Sequence, residues 1–321
     1  MNWQCYRGED QSWNQLVRTD KHSAYLHSSF WSNHMNNLGW KEHRFVYISK
    51  NTNKAFSQCF SKKYFGLFTI IWFPDWILGD YKYTESLLSQ LKELLNLKSY
   101  YVRIRSHNIF NEYDANILNK TLNKVVNPID SSLTMMINLS VNENLLEKQL
   151  SKNWRRNLKR SLKINYEITE VFDKQVVYDL YEELSEIKNT KDFFSKEEIS
   201  SIFDCFKDRI LVLGARTTDG KIHAIRGAIK VGSQSVDIFA AADKYARKHY
   251  LSYRLCWELL IRSKELKSLS YDLNGVDENN MGVYNFKKGT GAVLFEKIGE
   301  YDHCNSSLLR FLVSVVLKYR A

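Results

Sequence analysis

The sequence predicts an α+β fold of two similar units, with mixed, mainly antiparallel sheets flanked by helices. Three observations carry this. The chain has 321 residues, a length suited to two domains of about 150 each. The same order of elements occurs in each half: helices, a run of antiparallel strands, a long helix and a further strand. A polar stretch ending near Pro128 separates the halves. The boundaries fall at 1–130, joined by 304–321, for the first unit and at 131–303 for the second. A composition of 44% hydrophobic and 26% charged residues excludes a disordered chain and a bundle of membrane spans. Two prolines and 13 glycines exclude collagen-like and linker-rich architectures.

In the first half, helices are expected at Ser12–Val17 and Ser29–Leu38. Strands follow at Arg44–Ser49, Ala55–Phe60 and Tyr64–Trp72, then a loop marked by Pro74, Asp75 and Gly79. Leu87, Leu88, Leu91, Leu94 and Leu95 place a helix over Thr84–Leu97, and β-rich Tyr100–Arg105 follows. In the second half, strand Leu133–Leu139 leads into helices at Glu143–Lys163, Lys174–Lys188 and Lys196–Phe206. The middle helix sets Val177, Leu180, Tyr181 and Leu184 on one face. Strands are expected at Ile210–Arg216, Ile222–Val231 and Ser235–Ala241, the first two joined by a hairpin turn at Asp219-Gly220. Helix Leu251–Leu266 and strand Leu269–Leu273 come next. The end of the chain, Asn305–Arg320, reads as a packed amphipathic helix. Its apolar run Leu308–Leu317, interrupted by Arg310, is too short to span a bilayer.

The formal net charge is +10, from 46 Lys and Arg against 36 Asp and Glu. That balance favours anionic partners: nucleic acid, phosphate-bearing substrates or an acidic membrane face. The five cysteines are scattered, and no CxxC pair exists, which argues against a disulfide framework and a zinc site. Residues 1–20 are polar, with no secretory h-region. The expected setting is cytoplasmic and reducing, with a peripheral place at the inner face of the membrane as its variant and no stable membrane insertion.

Two stretches concentrate chemistry. Leu150–Lys163 (LSKNWRRNLKRSLK) repeats Leu150, Trp154, Leu158 and Leu162 every four residues. Lys152, Arg155, Arg156, Lys159, Arg160 and Lys163 fill the other faces, with no acid among them. Such a helix can track phosphates or be a solvated surface helix. Tyr271–Asp302 carries a strand ending near Asp272, a turn at Asn274-Gly275, a short helix Met281–Phe286 and the pair Lys287/Lys288. Gly289 and Gly291 follow, then strand pieces Ala292–Ile298 and Glu300–His303. Glycines at 275, 282, 289 and 291 imply close backbone approach or positive φ. Two lysines there could offset charge developing on a substrate oxygen, or form a solvated basic turn. The chain contains no GxxxxGK[ST], HExxH or GxSxG. His107, His223, His249 and His303 are isolated, Cys256 sits inside a helix as a core residue, and the aromatic clusters Trp72/Phe73/Trp76 and Phe193/Phe194 read as core.

Together these stretches resemble the FemAB-like branch of the Gcn5-related N-acyltransferase superfamily, the peptidoglycan bridge aminoacyltransferases and their relatives. The resemblance runs through WRRNLKRSLK, YDLNGVD, GVYNFKKGTG and IGEYD, in the family's order, over Leu150–Asp302. In the first half it rests on element order and on FWSNHMNNLGW. It implies two tandem acyltransferase units, with the final helix returning to the first. It also implies transfer of an acyl or aminoacyl group from an acyl-CoA thioester or an aminoacyl-tRNA ester to a primary amine, with no permanently bound cofactor or metal. Phe286 and Lys287 match the family's Phe-Lys pair. The Phe286 carbonyl would accept a proton from the attacking amine, and the Lys287 ammonium would stabilise the tetrahedral oxyanion. Arg155, Arg156, Lys159, Lys196, Arg247, Lys248, Tyr284 and Lys288 are the expected substrate-binding residues.

The chain departs from the family at several positions. Four residues after Trp31, where peptidoglycan-directed members carry a phosphate-binding lysine, stands Met35. A later arginine followed by aromatics is replaced by Lys196, with Ile199 and Ser200. Thr290 stands in place of a phenylalanine. The loop Asp243–Tyr250 lacks a QxxGxG-type pyrophosphate turn and offers Lys244, Arg247 and Lys248, which favours a tRNA-borne donor. The leading expectation is therefore an aminoacyl- or acyltransferase acting on a nucleotide- or lipid-linked amine of a cell-envelope or polysaccharide precursor, with tRNA as a partner. The alternatives are an acetyl-CoA-dependent N-acetyltransferase for an amino sugar and a non-catalytic RNA- or membrane-surface-binding protein. The residues leave the acceptor, the transferred group and the oligomeric state open.

Overall fold

A computed structural model describes residues 2–17, 24–50, 52–188 and 194–318; Phe193 and Arg320 lie outside that set. Its contacts divide the chain into two units, Met1–Leu133 with Phe295–Ala321 and Thr134–Leu294. The first unit opens with β1 (Asn2–Cys5), α1 (Asp10–Leu16), α2 (Ser29–Asn37), β2 (Lys41–Ser49), β3 (Thr52–Tyr64), β4 (Phe68–Phe73) and β5 (Ile77–Leu78). It continues with α3 (Thr84–Leu94), β6 (Tyr100–Ile109), α4 (Glu112–Thr121) and β7 (Asn123–Lys124). The second unit runs through β8 (Leu133–Asn138), α5 (Glu143–Gln149), α6 (Lys152–Ser161), β9 (Tyr166–Glu170), α7 (Lys174–Lys188) and α8 (Lys196–Phe206). Then come β10 (Ile210–Thr217), β11 (Ile222–Val231), β12 (Gln234–Ala242), α9 (Lys244–Lys248), α10 (Leu251–Glu265), β13 (Ser270–Gly275) and α11 (Met281–Lys288). The chain closes with β14 (Val293–Cys304) and α12 (Ser307–Lys318).

The two sheets share a plan. In the first unit β1, β2, β3 and β4 form an antiparallel run. β4 then pairs in parallel with β6, and β6 pairs antiparallel with β14. In the second, β9, β10, β11 and β12 form the run, β12 pairs in parallel with β13, and β13 pairs antiparallel with β8. A parallel pair needs a crossover. The crossover is α3 in one unit and α10 in the other, each with its leucines turned inward: Leu87, Leu88 and Leu91 in α3, Leu255, Leu259 and Leu260 in α10. Burying each such side chain stabilises by about 1.5–3 kcal/mol.

Several expectations need correction. The single helix over 143–163 is two helices. The side chain of Ser151 accepts from the Trp154 N–H to start α6, and the Ser151 N–H donates to the Gly289 carbonyl at 2.8 Å. Leu162 leaves the apolar stripe and is 57% exposed, while Ser161 is buried in its place. A four-residue repeat drifts by about 40° per step on a helix of 3.6 residues per turn. The strand expected at Tyr64–Trp72 begins only at Phe68, because residues 65–66 form a hairpin turn with β3. The two pieces after Gly291 are one strand, β14, with a register shift beside Gly299 at φ +94°. β14 pairs with β6 of the first unit from Lys297 to Cys304, so that stretch belongs to the first unit's sheet. The loop Asp243–Tyr250 contains α9. β1, β9 and α4 had no clear sequence signal. The amphipathic end of the chain is helical: α12 buries Leu309 and Val313 against Tyr101 of the first unit.

Candidate functional site in the second unit

The site begins where β12 and β13 part. They pair only at Gln234↔Ser270, Ser235↔Tyr271 and Val236↔Asp272. Beyond that point Asn274 adopts φ +64° and its amide donates to the Asp237 carbonyl at 3.2 Å. The gap opened by this divergence receives Lys287. Its side chain comes from the last turn of α11, is 9% exposed, and donates to the carbonyls of Gly275 at 2.6 Å and Asn274 at 3.2 Å. A buried ammonium needs such partners, and carbonyl dipoles supply them without cancelling its charge.

Phe286, the preceding residue, turns its carbonyl towards α6, where it accepts from the Trp154 indole N–H at 3.2 Å. A carbonyl has two lone pairs, so this bond orients the oxygen and leaves it able to accept a second proton. The Phe286 ring joins Trp154 and Tyr253 in a three-ring cluster, with centroid separations of 5.9, 5.1 and 5.0 Å. Gly289 makes this closeness possible. A Cβ there would lie 2.8 Å from the Trp154 ring and 3.2 Å from Ser151 Oγ. Gly291, at φ +84°, is pressed against Gln149. Gly282 meets no such crowding, so the glycine signal was real at two positions of the run.

A buried ion pair supports the aromatic cluster. Arg226 on β11 grips Asp237 on β12 with two bonds, Nε to Oδ1 at 3.0 Å and Nη2 to Oδ2 at 2.5 Å. Tyr271 donates its hydroxyl to Asp237 Oδ1 at 2.9 Å, and the Arg226 guanidinium lies 5.3 Å from the Phe286 ring centroid. Burial pushes the Asp237 carboxyl up from its ordinary range, while Arg226, Lys287 and the Tyr271 hydroxyl pull the other way. Burial likewise pushes the Cys256 thiol up to about 11, which suits a core residue and not a nucleophile.

The other expected site residues are distributed unevenly. Arg155 is half-buried on α6; Arg156 and Lys159 are exposed there, Arg156 donating to Asn153 at 2.6 Å. Arg160 of the same helix donates to the Tyr250 hydroxyl at 3.1 Å and lies over its ring, tying α6 to the start of α10. Arg247 and Lys248 are exposed on α9, Arg247 donating to the Ala242 carbonyl. Lys288 lies 5.6 Å from the Tyr284 ring centroid on the outer side of α11. Lys196 sits over Tyr178 of α7, on the α7–α8 pair, and makes none of these contacts. His223, read as isolated, bonds Asp243 at 2.6 Å, and Asp243 caps α9. Arg226, Asp237, Tyr271 and Tyr253 were missed. The available signal was one opposite charge inside each of two neighbouring apolar strand patterns. Among the described residues no cluster of His, Cys, Asp and Glu could hold a metal ion.

A sequence model of the FemAB family matches residues 179–316. A lipid II:glycine glycyltransferase of Staphylococcus saprophyticus is 25% identical over 163 residues, 44% of this chain and 39% of that relative, so the likeness spans well under half of the relative. The crystal structure of FemX superposes with a TM-score of 0.82 at 15% identity, covering 97% of this chain and 100% of the other. A tandem GNAT protein from the clavulanic acid biosynthesis pathway gives 0.60 at 11% identity, covering 95% and 98%. The shared plan of the two sheets and these structural likenesses give the chain the tandem Gcn5-related N-acyltransferase fold, with a likeness to the FemAB family over residues 179–316.

Proposed function

We propose that this protein is an aminoacyltransferase that moves an aminoacyl group from a tRNA ester to a primary amine of a cell-wall precursor. The observation that carries the reading is the joint placement of Phe286 and Lys287. One presents an oriented carbonyl oxygen and the other a buried ammonium, at the end of a helix held against a basic one. The amine nitrogen would attack the ester carbonyl carbon, forming the N–C bond. Its proton passes to the Phe286 carbonyl oxygen while Lys287 offsets the charge on the oxyanion. Collapse breaks the C–O bond to the ribose, and the proton goes to the departing hydroxyl. The step needs no nucleophilic side chain, and much of the acceleration would come from holding two substrates together.

The basic residues of α6 and α9 suit a phosphate backbone, with Arg155, Arg156, Lys159, Arg247 and Lys248 as donors to it. The glycyltransferase likeness supports an aminoacyl donor and a lipid-linked acceptor. Nothing found supports the acyl-CoA alternative. Lys196 drops out of the binding set proposed here, since it lies on the α7–α8 pair.

The test is Lys287→Met, assayed with a pool of aminoacyl-tRNAs and candidate nucleotide-linked and lipid-linked amines, products read by mass spectrometry. Transfer should fall by about 10²–10³-fold, with circular dichroism showing that the fold is retained. Wild-type rates in that variant would sink the mechanism. Retained polyanion binding with no transfer by the wild type to any acceptor would favour a binding protein. Affinity for tRNA should drop steeply with salt.

A further inference from the structure

The first unit carries an apolar surface that its own core does not explain. The turn between β3 and β4 is Phe65-Gly66, both residues with positive φ (51° and 70°), closed by the Leu67 N–H on the Tyr64 carbonyl at 3.0 Å. The connection spans residues 65–67, since Tyr64 pairs with Phe68, and positive-φ positions such as these favour Asn and Gly. Here a phenylalanine takes the strained position and stands 89% exposed, with Leu67 75% exposed beside it. Helix α12 continues the pattern. Leu309 and Val313 pack on Tyr101, Phe68 and Ile70, and so dock the helix on β4 next to that turn. Leu308, Phe311 and Leu312, spaced i, i+3 and i+4, form an outward face and are 69%, 63% and 52% exposed. An isolated exposed apolar residue is ordinary, but a patch drawn from two packed elements is not.

The charges beside the patch have one sign. No acidic residue occurs between Lys54 and Pro74, or from Asn305 to the last residue given, whereas Lys62, Lys63 and Arg310 do. Beside α12 a cavity of about 440 Å3 is lined by Lys124, Arg103 and Arg310, with Val126 and Phe311 at it. Its carboxylate, Asp302, is held by Arg310 at 2.9 Å and by the Tyr101 hydroxyl at 3.3 Å. Val126 is itself 90% exposed.

From these features we infer that the first unit docks on an anionic lipid surface, with the β3–β4 tip and the outer face of α12 entering the bilayer interface and Lys63 and Lys124 meeting phosphate headgroups. A projecting aromatic tip suits a lipid interface, where an apolar side chain needs no preformed pocket. The cations supply the attraction that a shallow insertion needs. Among the described residues no helix is long and apolar enough to cross a membrane, so the contact is interfacial.

The experiment is flotation of the full chain with vesicles of phosphatidylcholine alone and of phosphatidylcholine mixed with phosphatidylglycerol. Wild type should float with the mixed vesicles and much less with the neutral ones. Phe65→Asn with Leu67→Thr should lower partitioning by about tenfold; it restores the favoured turn sequence, so the fold should be at least as stable. Leu308→Ser with Phe311→Ser and Leu312→Ser should do the same, with circular dichroism reporting an intact fold. Wild type that ignores anionic vesicles, or variants that bind them equally, would overturn the inference. So would a lipid-free dimer that the α12 variant converts to a monomer, since a second copy would then be what covers this face. The measurement uses no donor or acceptor. Its failure leaves the transferase reading standing, and loss of transfer on a nucleotide-linked amine leaves the docking result standing.

Discussion

The same place in the two sheets has been finished in opposite ways. In the first unit β4 and β6 stay in parallel register for five residue pairs, Thr69↔Tyr100 through Phe73↔Ile104. The chain beyond is sewn shut: Arg105 donates to the Pro74 carbonyl, and the His107 N–H donates to Asp75 Oδ1 at 3.0 Å. Asp75 also accepts from the Trp76 N–H and bonds His27 Nε2 at 3.2 Å. In the second unit β12 and β13 separate after three pairs, and Lys287 from α11 occupies the gap. One unit thus closes its strand divergence with its own polar groups, and the other fills it with a lysine from a separate helix. Each unit also buries an arginine–carboxylate pair between neighbouring strands. Arg103 and Glu300 in the first tie down backbone, since Glu300 Oε1 accepts from the N–H groups of Ile129 and Asp130. In the second, Arg226 is held by Asp237 and lies over the Phe286 ring.

The sharpest test of that contrast is Asp237→Asn beside Glu300→Gln. Each leaves a buried guanidinium without its counter-charge and should destabilise by about 3–5 kcal/mol in urea unfolding. Only Asp237→Asn should also lower the transfer rate at saturating substrates, because only Arg226 touches the Phe286 ring. Equal rate losses in both variants would remove the functional half of the contrast.

Acid should strike the first unit harder. Burial lowers His34 and His43 to about 4 each, from 6.5. The unfolded chain takes up these protons at higher pH than the folded one. Neither histidine imposes a penalty above 6.5, and the penalty grows as pH falls from 6.5 to 4. At pH 5 it amounts to about 2 kcal/mol for His34 and somewhat less for the partly exposed His43. Burial opposes the ionisation of Asp75, but bonds and charges from His27 and His107 hold its carboxyl below the ordinary range. The stability Asp75 adds is present above pH ~4 and is lost as pH drops below that. Urea midpoints at pH 7 and pH 5 should differ, and His34→Gln should remove part of the difference. An unchanged pH dependence in that variant would show that another group is responsible.

Gly289→Ala should cost about 1–3 kcal/mol, because the new methyl meets a buried indole. It should also disturb transfer, since Trp154 is the donor to the Phe286 carbonyl. The smallest expected effect is in the remote α7–α8 pair. Ser195 and Glu198 form a capping box at the start of α8. Ser195→Ala should lower stability by about 1 kcal/mol with transfer unaffected. A rate change there would bring Lys196 back into the binding set.

Much of the fold was legible because long elements carry a period. The leucines of α3, the Val177–Leu184 face of α7 and the strands on either side of Asp219-Gly220 all announce themselves locally. Short or edge elements do not. β9 pairs on one side only, and Ser151 ends one helix and starts the next through a bond to Gly289 that lies 138 positions away in the chain. For the site, a motif resemblance located Phe286 and Lys287, but it could not show that Trp154 orients one or that two carbonyls hold the other.

The sequence by itself determined the α+β class, the two-unit plan, the basic helix and the position of the Phe-Lys pair. The first three rest on local periodicity, or on residues that stay close along the chain; the pair rests on the motif resemblance. Only the tertiary structure decided that β14 completes the first unit. It alone matched Arg226 with Asp237, and let the strand divergence of the second unit receive a lysine. Those outcomes depend on which strands become neighbours, and on register and backbone direction between distant segments. A hydrogen bond or ion pair forms over about 3 Å, a distance that separation along the chain does not specify.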